Sequence, residues 1–436
     1  MAIVTPGGAY PIDFRLLDVS GILSGTASVK TSTSLIVDYG GGSRDEFTGV
    51  GFTFGSGAEP TGGIITGYKQ YISGALVGSV EGASASATQF MTFVKAGDTV
   101  GAVLFVLSGH DLINGSAFAD YLAGGNGSDA ISGAGGDDQL IGNSGNDLLD
   151  GGAGTDAAIY GAVAANFTLT RTATGWTVHD KIGPFGTDTL INVEAIWFTD
   201  KSVNLGLTDS AADAYGLNLL RTTGSNGLSV LVANGLTTRA DALASTIALA
   251  GSTTSVATLS YQFFTGKIPS QGGIDYLVSP TGPNVNNLNS AYYQSFSLEN
   301  RYINFAVNLG KVGEGSVKFT TDYGGLSLFD ATKKAYATIF GVTPADAKVH
   351  ALLDPSFVLA GQTMTRAEYF GYYGGDGANG IGTKAAMVGW LLGEAVKADV
   401  GMYAKSNDAF LTDLADGAAF AVDLVGVYGK AEYANL

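Results

Sequence analysis

The sequence predicts a multidomain α+β protein of three consecutive blocks: a β-rich N-terminal region at 1–103, a central parallel β-roll with a closing cap at 104–207, and a C-terminal all-α domain at 208–436. Short apolar segments between Gly-rich turns indicate the first block, a nine-residue repeat the second, and apolar side chains at helical spacing the third. The 436 residues leave room for several cores, because single cores rarely grow beyond about 250 to 300 residues.

The N-terminal block is predicted to consist mainly of strands. Segments typical of strands, Ala27–Tyr39, Gly51–Phe54 and Gly63–Val80, are separated by turns such as Gly40–Gly42. A helix is predicted near Ala85–Lys95. The block contains no chemical motif, so it predicts structure without indicating a function.

The central block contains an internal repeat. Six aspartates follow one another at intervals of nine residues: Asp111, Asp120, Asp129, Asp138, Asp147 and Asp156. Glycines keep the same period at Gly115, Gly124, Gly133, Gly142 and Gly151. So do aliphatic side chains at Ile113, Leu122, Ile131, Leu140 and Leu149, with Ala158 as a weaker sixth member. Because three residue classes share one phase, the segment is a repeat architecture and not a Gly-rich linker.

Each copy is predicted to form a six-residue turn followed by a three-residue strand whose aliphatic side chain points inward. Two copies make one coil, so equivalent turns recur every eighteen residues. We therefore expect one side of the roll to carry Asp111, Asp129 and Asp147. The opposite side carries Asp120, Asp138 and Asp156.

The turns are predicted to bind calcium. Calcium prefers about six to eight oxygen ligands, which carboxylates and backbone carbonyls supply, and glycine lets the backbone approach an ion closely. The predicted ligand set is Asp111, Asp120, Asp129, Asp138, Asp147, Asp156, Gly124, Gly127, Gly133, Gly136, Gly142 and Gly145. About three or four ions are expected, between Asp111/Asp129, Asp129/Asp147, Asp120/Asp138 and Asp138/Asp156. Phe118 and Ala119 replace the usual turn residues in an early copy, which favours the later sites.

The copy Gly124–Ser132 matches GGxGxDxUx, and the repeat resembles the β-roll of RTX proteins, also called hemolysin-type calcium-binding repeats. The resemblance implies a secreted protein that calcium folds outside the cell. It also implies export by a type I apparatus that reads an uncleaved C-terminal signal, with which the run Asn407–Tyr428 is compatible. Gly186–Asp200 resembles the segment that closes such rolls, with Trp197 and Phe198 covering the end.

Composition restricts the partners. The chain has no cysteine, which excludes disulfides, thiol catalysis and Cys-ligated metals. Its formal charge of −17 disfavours nucleic acid and anionic lipid surfaces and favours cations. Met1–Gly21 lacks the pattern of a cleavable secretory signal, and the longest clear apolar run, Val100–Leu107, is too short to span a bilayer.

The third block carries helix-start signals, in which Thr238, Thr343 and Thr365 are each followed three residues later by an acid. From about Ala242 onward it resembles the N-terminal anchoring domain of RsaA-type S-layer proteins. The matching stretches are Ser260–Gly266, Gly273–Val278, Asn287–Tyr293 and Glu299–Phe305, with fainter similarity from Lys384 to Gly417.

The resemblance implies attachment to cell-surface lipopolysaccharide through its O-antigen. Here the helical block follows the repeat instead of preceding it, so surface attachment is the expectation, and lattice formation and homo-oligomers stay open. Aromatic, amide and guanidinium groups suit a polysaccharide, and the candidate contacts are Asn286, Asn289, Tyr292, Tyr293 and Arg301.

No catalytic motif accompanies the repeat. The histidines His110, His179 and His350 do not form H-E-x-x-H, and no G-x-S-x-G is present. Gly375–Gly380 fits G-x-G-x-x-G but is interpreted as a loop, because no clear strand precedes it. The prediction is a noncatalytic, calcium-dependent protein of the extracellular surface or matrix, bound to lipopolysaccharide or an S-layer. A self-assembling S-layer or biofilm-matrix protein, and a carbohydrate-active enzyme or protease accessory, are the alternatives.

Overall fold

The structure is a computed structural model that describes residues 1–436 except 17, 18, 20, 58, 223–226, 360, 416 and 418–436. The chain forms two compact units, Met1–Thr208 and Asp209–Leu436. The first contains the β-rich region and the roll, and the second is helical. The predicted fold class, with its β-rich start, parallel roll and helical C-terminal part, is confirmed.

The first unit begins with an antiparallel sheet packed against helices. Its elements are β1 (Ile3–Pro6), α1 (Gly21–Ser24), β2 (Thr26–Lys30), β3 (Ser34–Gly40), β4 (Ser43–Phe54), β5 (Pro60–Ile72), β6 (Ala75–Ser86), α2 (Ala87–Ala96) and α3 (Thr99–Val106). The predicted helix near Ala85–Lys95 is α2. Phe47, Ile65 and Phe90 belong to the core of this region.

Two predicted strands are hairpins. Ala27–Tyr39 contains β2 and β3, and Gly63–Val80 contains parts of β5 and β6. In the second case the chain reverses at Ser73 and Gly74, whose φ angles are +51° and +84°. The prediction of one strand over Gly63–Val80 was wrong because a tight turn needs only two residues with positive φ, which leave little trace in an apolar pattern.

The roll consists of short parallel strands that alternate between two sheets. They are β7 (Leu112–Asn114), β8 (Tyr121–Asn126), β9 (Ala130–Ser132), β10 (Gln139–Ser144), β11 (Leu148–Asp150) and β12 (Ala157–Ile159). After a hairpin, β13 (Phe167–Arg171) and β14 (Gly175–Asp180), the roll continues with β15 (Thr187–Ile191), β16 (Ala195–Trp197) and β17 (Ser202–Asn204). One sheet contains β7, β9, β11 and β15, and the other contains β8, β10, β12, β16 and β17.

The strands pair in register one coil apart, as in Ile113 with Ile131 and Leu122 with Leu140. The aliphatic side chains that the repeat predicts to point inward form a buried column, each at most 1% exposed: Ile113, Leu122, Ile131, Leu140, Leu149 and Ala158, continued by Leu190 and Ile196. This column is narrow and made of small or medium side chains, so it buries little apolar area per coil.

The β-rich region and the roll share one sheet. Strand β1 pairs antiparallel with β6 and parallel with β7, so a 12-stranded sheet runs from β2 to β13 across residue 103. The division of residues 1–207 into two separate domains therefore stays a prediction.

The second unit contains α4 (Ser210–Tyr215), α5 (Leu228–Ala233), α6 (Arg239–Ala250), α7 (Thr254–Thr265), α8 (Gln271–Val278), α9 (Ala291–Gln294), α10 (Leu298–Val307), α11 (Ser316–Tyr323), α12 (Leu328–Phe340), α13 (Asp346–Leu353), a hairpin of β18 (Ser356–Leu359) and β19 (Gln362–Thr365), α14 (Arg366–Gly374), α15 (Ile381–Ala398) and α16 (Gly401–Leu414). Short π-helical segments follow α4 and α10, at Gly216–Leu220 and Asn308–Val312. Helix α15 lies at the centre, with most of its side chains buried.

Helix starts in this unit follow capping chemistry at two of the three predicted positions. Thr238 caps α6, and Thr365 forms a capping box with Glu368 at the start of α14. The prediction of a cap at Thr343 was wrong, because α13 begins only at Asp346 with Ala345 at its N-cap and no side-chain cap. Among the described residues no single helix has the length and composition of a membrane span, although α6 and α7 pass together as a pair bent by 61°.

Candidate calcium site

The repeat aspartates form two ladders along the roll. The backbone N–H of each aspartate donates to Oδ1 of the aspartate one coil later, at 2.7 Å from Asp111 to Asp129 and 2.8 Å from Asp129 to Asp147. On the opposite side the distances are 2.7 Å from Asp120 to Asp138 and 2.8 Å from Asp138 to Asp156. All six side chains are at most 5% exposed. The Oδ1 atom of each later aspartate therefore accepts a hydrogen bond from the backbone of the preceding coil.

The second carboxylate oxygen, Oδ2, takes no part in these hydrogen bonds between coils. Among the residues that the structure describes, Oδ2 is buried without a hydrogen-bond partner in Asp111, Asp129, Asp138, Asp147 and Asp156. A buried carboxylate oxygen without a partner is costly, so native structures nearly always satisfy it. Within the same described part of the chain, no three His, Asp or Glu side chains form a metal-binding group. An ion held here would therefore need backbone carbonyls among its ligands.

Gly124, Gly133 and Gly142 leave space in front of these free oxygens. A Cβ atom at these positions would lie 2.4, 2.1 and 2.2 Å from Oδ2 of Asp129, Asp138 and Asp147 respectively. At Gly133 the same point lies 2.6 Å from the carbonyl oxygen of Gly151, one coil later. Carboxylate and carbonyl oxygens thus converge where a side chain would otherwise begin, which is the ligand type that calcium prefers.

Gly127, Gly136 and Gly145 are needed for a different reason. Their φ angles are +136°, +108° and +137°, which L side chains rarely adopt. A Cβ at Gly127 or Gly145 would also lie only 1.6 or 1.5 Å from a carbonyl oxygen of the preceding coil. These glycines therefore allow the coils to stack, and the calcium-binding role of their carbonyls stays a prediction.

Burial makes the carboxylates resist ionisation. It raises the pKa of Asp138 to about 7 and that of Asp129 to about 6, and the charges of neighbouring aspartates add to both shifts. Burial also raises the pKa values of Asp147 and Asp156. A cation beside these groups would favour their charged form, so the ladder is electrostatically suited to a divalent ion.

Asp120 differs from the other five aspartates. Its Oδ1 accepts from the Ile12 backbone and from Ser116 Oγ at 2.9 Å, and its Oδ2 accepts from the Ser116 backbone N–H. The backbone N–H of Ala2 donates in the same manner to Oδ1 of Asp111. Residues 2 and 12 thus supply the N–H groups that a preceding coil would supply. Protein groups alone satisfy Asp120.

Two acids that the repeat period did not identify extend the ladders. The N–H of Asp147 donates to Oδ1 of Asp188 at 2.8 Å, and that of Asp156 to Oε2 of Glu194 at 2.8 Å. Asp188 is 0% exposed, and its Oδ2 accepts from the Tyr160 hydroxyl at 2.8 Å. The sequence pattern that could have revealed them is an acid two residues before an aliphatic residue, as in the repeat. It occurs in Asp188-Thr189-Leu190 and Glu194-Ala195-Ile196. The hairpin of β13 and β14 interrupts the nine-residue period before them.

Aromatic rings close this end of the roll. Tyr160 packs against Phe167, Phe185 and Phe198, with ring centroids 5.0 to 6.0 Å apart. Phe198 is buried as the predicted cap requires, but Trp197 is 41% exposed. The end of the roll is thus covered by Phe198 and the inserted hairpin.

The five predicted polysaccharide contacts lie in the helical unit, and some have structural partners. Arg301 donates to the backbone carbonyls of Tyr293, Phe296, Ser252 and Gln294. Asn289 donates to the carbonyl of Val278 at 2.7 Å, and Tyr293 is 4% exposed. Tyr292 is 53% exposed, and Asn286 is also exposed. All five stay predictions, with Tyr292 and Asn286 the most accessible of them.

Comparison with known families agrees with this geometry. Residues 106–140 and 132–162 match the RTX calcium-binding nonapeptide repeat family. That family binds calcium, so residues 106–162 contain calcium-binding RTX repeats.

Residues 253–436 match the RsaA N-terminal domain. The two matches together support a calcium-binding protein of the surface or S-layer type, and both families are of noncatalytic kinds. No curated protein is similar enough to the chain to count as a match.

Proposed function

We propose that calcium ions bind between successive coils of the roll and set its fold. The observation that carries this proposal is a set of buried Oδ2 atoms that have no hydrogen-bond partner in the described part of the chain, those of Asp111, Asp129, Asp138, Asp147 and Asp156. Calcium would supply the positive charge that these oxygens lack, and nearby backbone carbonyls would complete its ligands.

The expected number of ions follows from the ladders. Of the four predicted pairs, Asp120/Asp138 has the least need of an ion, because Ser116 and Ile12 already satisfy Asp120. We therefore expect about three ions, beside Asp111/Asp129, Asp129/Asp147 and Asp138/Asp156. Isothermal titration with calcium would test this number, and failure to bind any calcium would contradict the assignment.

Binding of calcium is coupled to folding in this proposal. Without the ion, ionised carboxylates lie close together around a narrow apolar column, which opposes closure of the roll. The chain would then stay loosely folded where calcium is scarce and fold where it is abundant. This supports export through a type I apparatus in an unfolded state.

The helical unit is the proposed attachment module, which binds cell-surface polysaccharide, specifically the O-antigen of lipopolysaccharide. The match of residues 253–436 to the RsaA N-terminal domain supports this assignment. The protein would act without catalysis, as a calcium-rigidified component of the cell surface.

Attachment can be tested with the full chain in calcium. We expect smooth lipopolysaccharide, immobilised on beads, to retain the protein, and O-antigen-deficient lipopolysaccharide to retain much less. Equal retention by both would contradict attachment through the O-antigen.

A further inference from the structure

A groove in the helical unit combines aromatic and charged groups. Its volume is about 570 Å³, and its lining includes Tyr336 and Phe340 of α12, Lys348 of α13, and Trp390 and Glu394 of α15. This volume lies within the range of about 300 to 1,000 Å³ that is usual for small-ligand sites.

The apolar part of the groove presents flat and aliphatic surfaces. The Tyr336 and Phe340 rings stack with centroids 4.3 Å apart, so they form one aromatic wall. Val342 and Val400 are 53% and 41% exposed, and they leave further apolar surface in contact with water. Exposed apolar surface inside a concave site is typical of ligand binding and unusual for a surface without a partner.

The polar part carries both signs of charge. Lys348 and Glu394 line the groove, and Lys397 lies 3.5 Å from Glu394. Behind the groove, the Arg366 guanidinium lies 4.4 Å from the Trp390 ring centroid, and Trp390 also hydrogen-bonds the half-buried Glu299. Trp390 is thus fixed in position by its neighbours, which keeps the floor of the groove rigid.

We propose that this groove binds a short, uncharged stretch of polysaccharide, in a further inference that rests on the proposed attachment function. The C–H faces of a sugar ring suit the aromatic wall, while its hydroxyls suit the carboxylate and ammonium groups. The mixed charges of the lining and the net charge of −17 both disfavour a strongly anionic polymer.

The groove presents exposed groups to a ligand, whereas several of the contacts predicted from sequence are buried or already hydrogen-bonded. Arg301 and Asn289 already donate to backbone carbonyls, and Tyr293 is buried. Tyr276 of α8 is 52% exposed and lies outside the residues that line the groove. It therefore serves as a matched control tyrosine.

The test compares Tyr336→Leu and Glu394→Gln with Tyr292→Leu, the contact predicted from sequence, and with the control Tyr276→Leu, all in the full chain with calcium. Binding to immobilised smooth lipopolysaccharide should weaken about tenfold or more for each groove variant and stay unchanged for the control. Helical circular dichroism and the thermal midpoint show whether each variant is folded. Glu394→Gln keeps the shape of the side chain, so it remains informative if Tyr336→Leu does not fold.

Three results would overturn the assignment in distinguishable ways. Wild-type binding to smooth lipopolysaccharide in both groove variants would reject the groove as the binding site and leave the proposed attachment function intact. Loss of binding in Tyr292→Leu alone would place the contact on α9. Equal retention of the wild type by smooth and O-antigen-deficient lipopolysaccharide would reject attachment itself, and the groove with it.

A second readout reports on the groove directly. The chain contains three tryptophans, so a Trp176→Phe, Trp197→Phe double variant leaves Trp390 as the only fluorophore of this kind. Isolated O-antigen polysaccharide should change its emission at the concentrations that support bead binding. Unchanged emission in a variant that still binds the beads would contradict binding at this groove.

Discussion

The roll and the helical unit treat buried polar groups in opposite ways. In the helical unit, Lys384 is 1% exposed and donates to the carbonyls of Tyr323 and Gly324 at 3.1 Å each. Asn407 donates to Ser255 Oγ and accepts from Thr258 Oγ1, both at 2.9 Å.

In the roll, five buried carboxylates each keep one oxygen without a hydrogen-bond partner among the described residues. The buried Lys384 ammonium and Asn407 amide are thus satisfied within the helical unit, where among the described residues it is uncharged hydroxyls, those of Ser260 and Tyr302, that are buried without a hydrogen-bond or ion-pair partner. Under the proposed function the roll requires a cation, so calcium should control the stability of the roll and leave that of the helical unit nearly unaffected.

The largest expected effect is therefore that of calcium removal. Chelation should abolish the β-strand circular dichroism signal of the roll and its calcium-dependent thermal transition. The reason is that the carboxylates of each ladder repel one another without the ion. The helical signal should be retained. Circular dichroism with calcium, and again after chelation, measures both, and equal loss of helix and strand would contradict the independence of the two regions.

A matched pair of substitutions tests which aspartates need the ion. Asp138→Asn removes a carboxylate whose Oδ2 has no partner among the residues described, so calcium affinity should fall about tenfold or more. Asp120→Asn alters a carboxylate that Ser116 and Ile12 already satisfy, and should change affinity much less. Calorimetric titration of both variants measures their calcium affinities. Equal losses of affinity would refute the predicted difference between the two aspartates.

The pH dependence should reverse between the metal-free and the calcium-bound roll. Burial raises the pKa of Asp138 and of Asp188 to about 7, and that of Asp129 to about 6. In the unfolded chain the pKa of an aspartate is about 4. A raised carboxyl pKa contributes stability that is complete below the unfolded pKa and is lost as the pH rises through the folded pKa.

Metal-stripped protein should therefore be more stable at pH 5 than at pH 8, because stability is lost progressively between the unfolded pKa of about 4 and the folded values of about 6 to 7. Calcium affinity should fall over the same interval as the pH decreases, because protons compete for the same oxygens. Thermal melts and calcium titrations from pH 5 to 8 measure the two trends. A metal-free stability that rises with pH would show that these carboxylates are not buried as described.

The smallest expected effects come from one substitution made in each region. Tyr160→Phe removes the donor to Asp188 Oδ2 in the roll, which should cost about 1 to 3 kcal/mol in the free energy of unfolding. Tyr302 is fully buried in the helical unit, and its hydroxyl has no partner among the described residues, so Tyr302→Phe should be neutral or stabilising by up to about 1 kcal/mol. Denaturant unfolding in calcium distinguishes the two, and a costly Tyr302→Phe would point to an unrecognised partner.

The sequence predicted the roll well because its physical requirements repeat. A fixed period places Ile113, Ile131 and Leu149 in one column and Asp111, Asp129 and Asp147 in one ladder, so spacing alone predicts which residues meet. The β-roll and the helical third block were predicted for the same reason, since both have a short, regular period.

Contacts between distant residues could not be predicted in this way. Asp188 joins the ladder only after the hairpin of β13 and β14, which interrupts the period. The N–H groups of residues 2 and 12, more than one hundred positions before their partners in the chain, complete the first coil. The groove likewise joins α12, α13 and α15, whose meeting depends on tertiary packing and not on local pattern.

The most direct test of the account is a crystal structure of the full chain grown with calcium, with the ions located by anomalous scattering. Peaks are expected about 2.3 to 2.6 Å from Oδ2 of Asp111, Asp129, Asp138, Asp147 and Asp156, and none that relies on Asp120. Oδ2 atoms that contact only water or protein donors in that crystal would contradict calcium as the element that sets the roll.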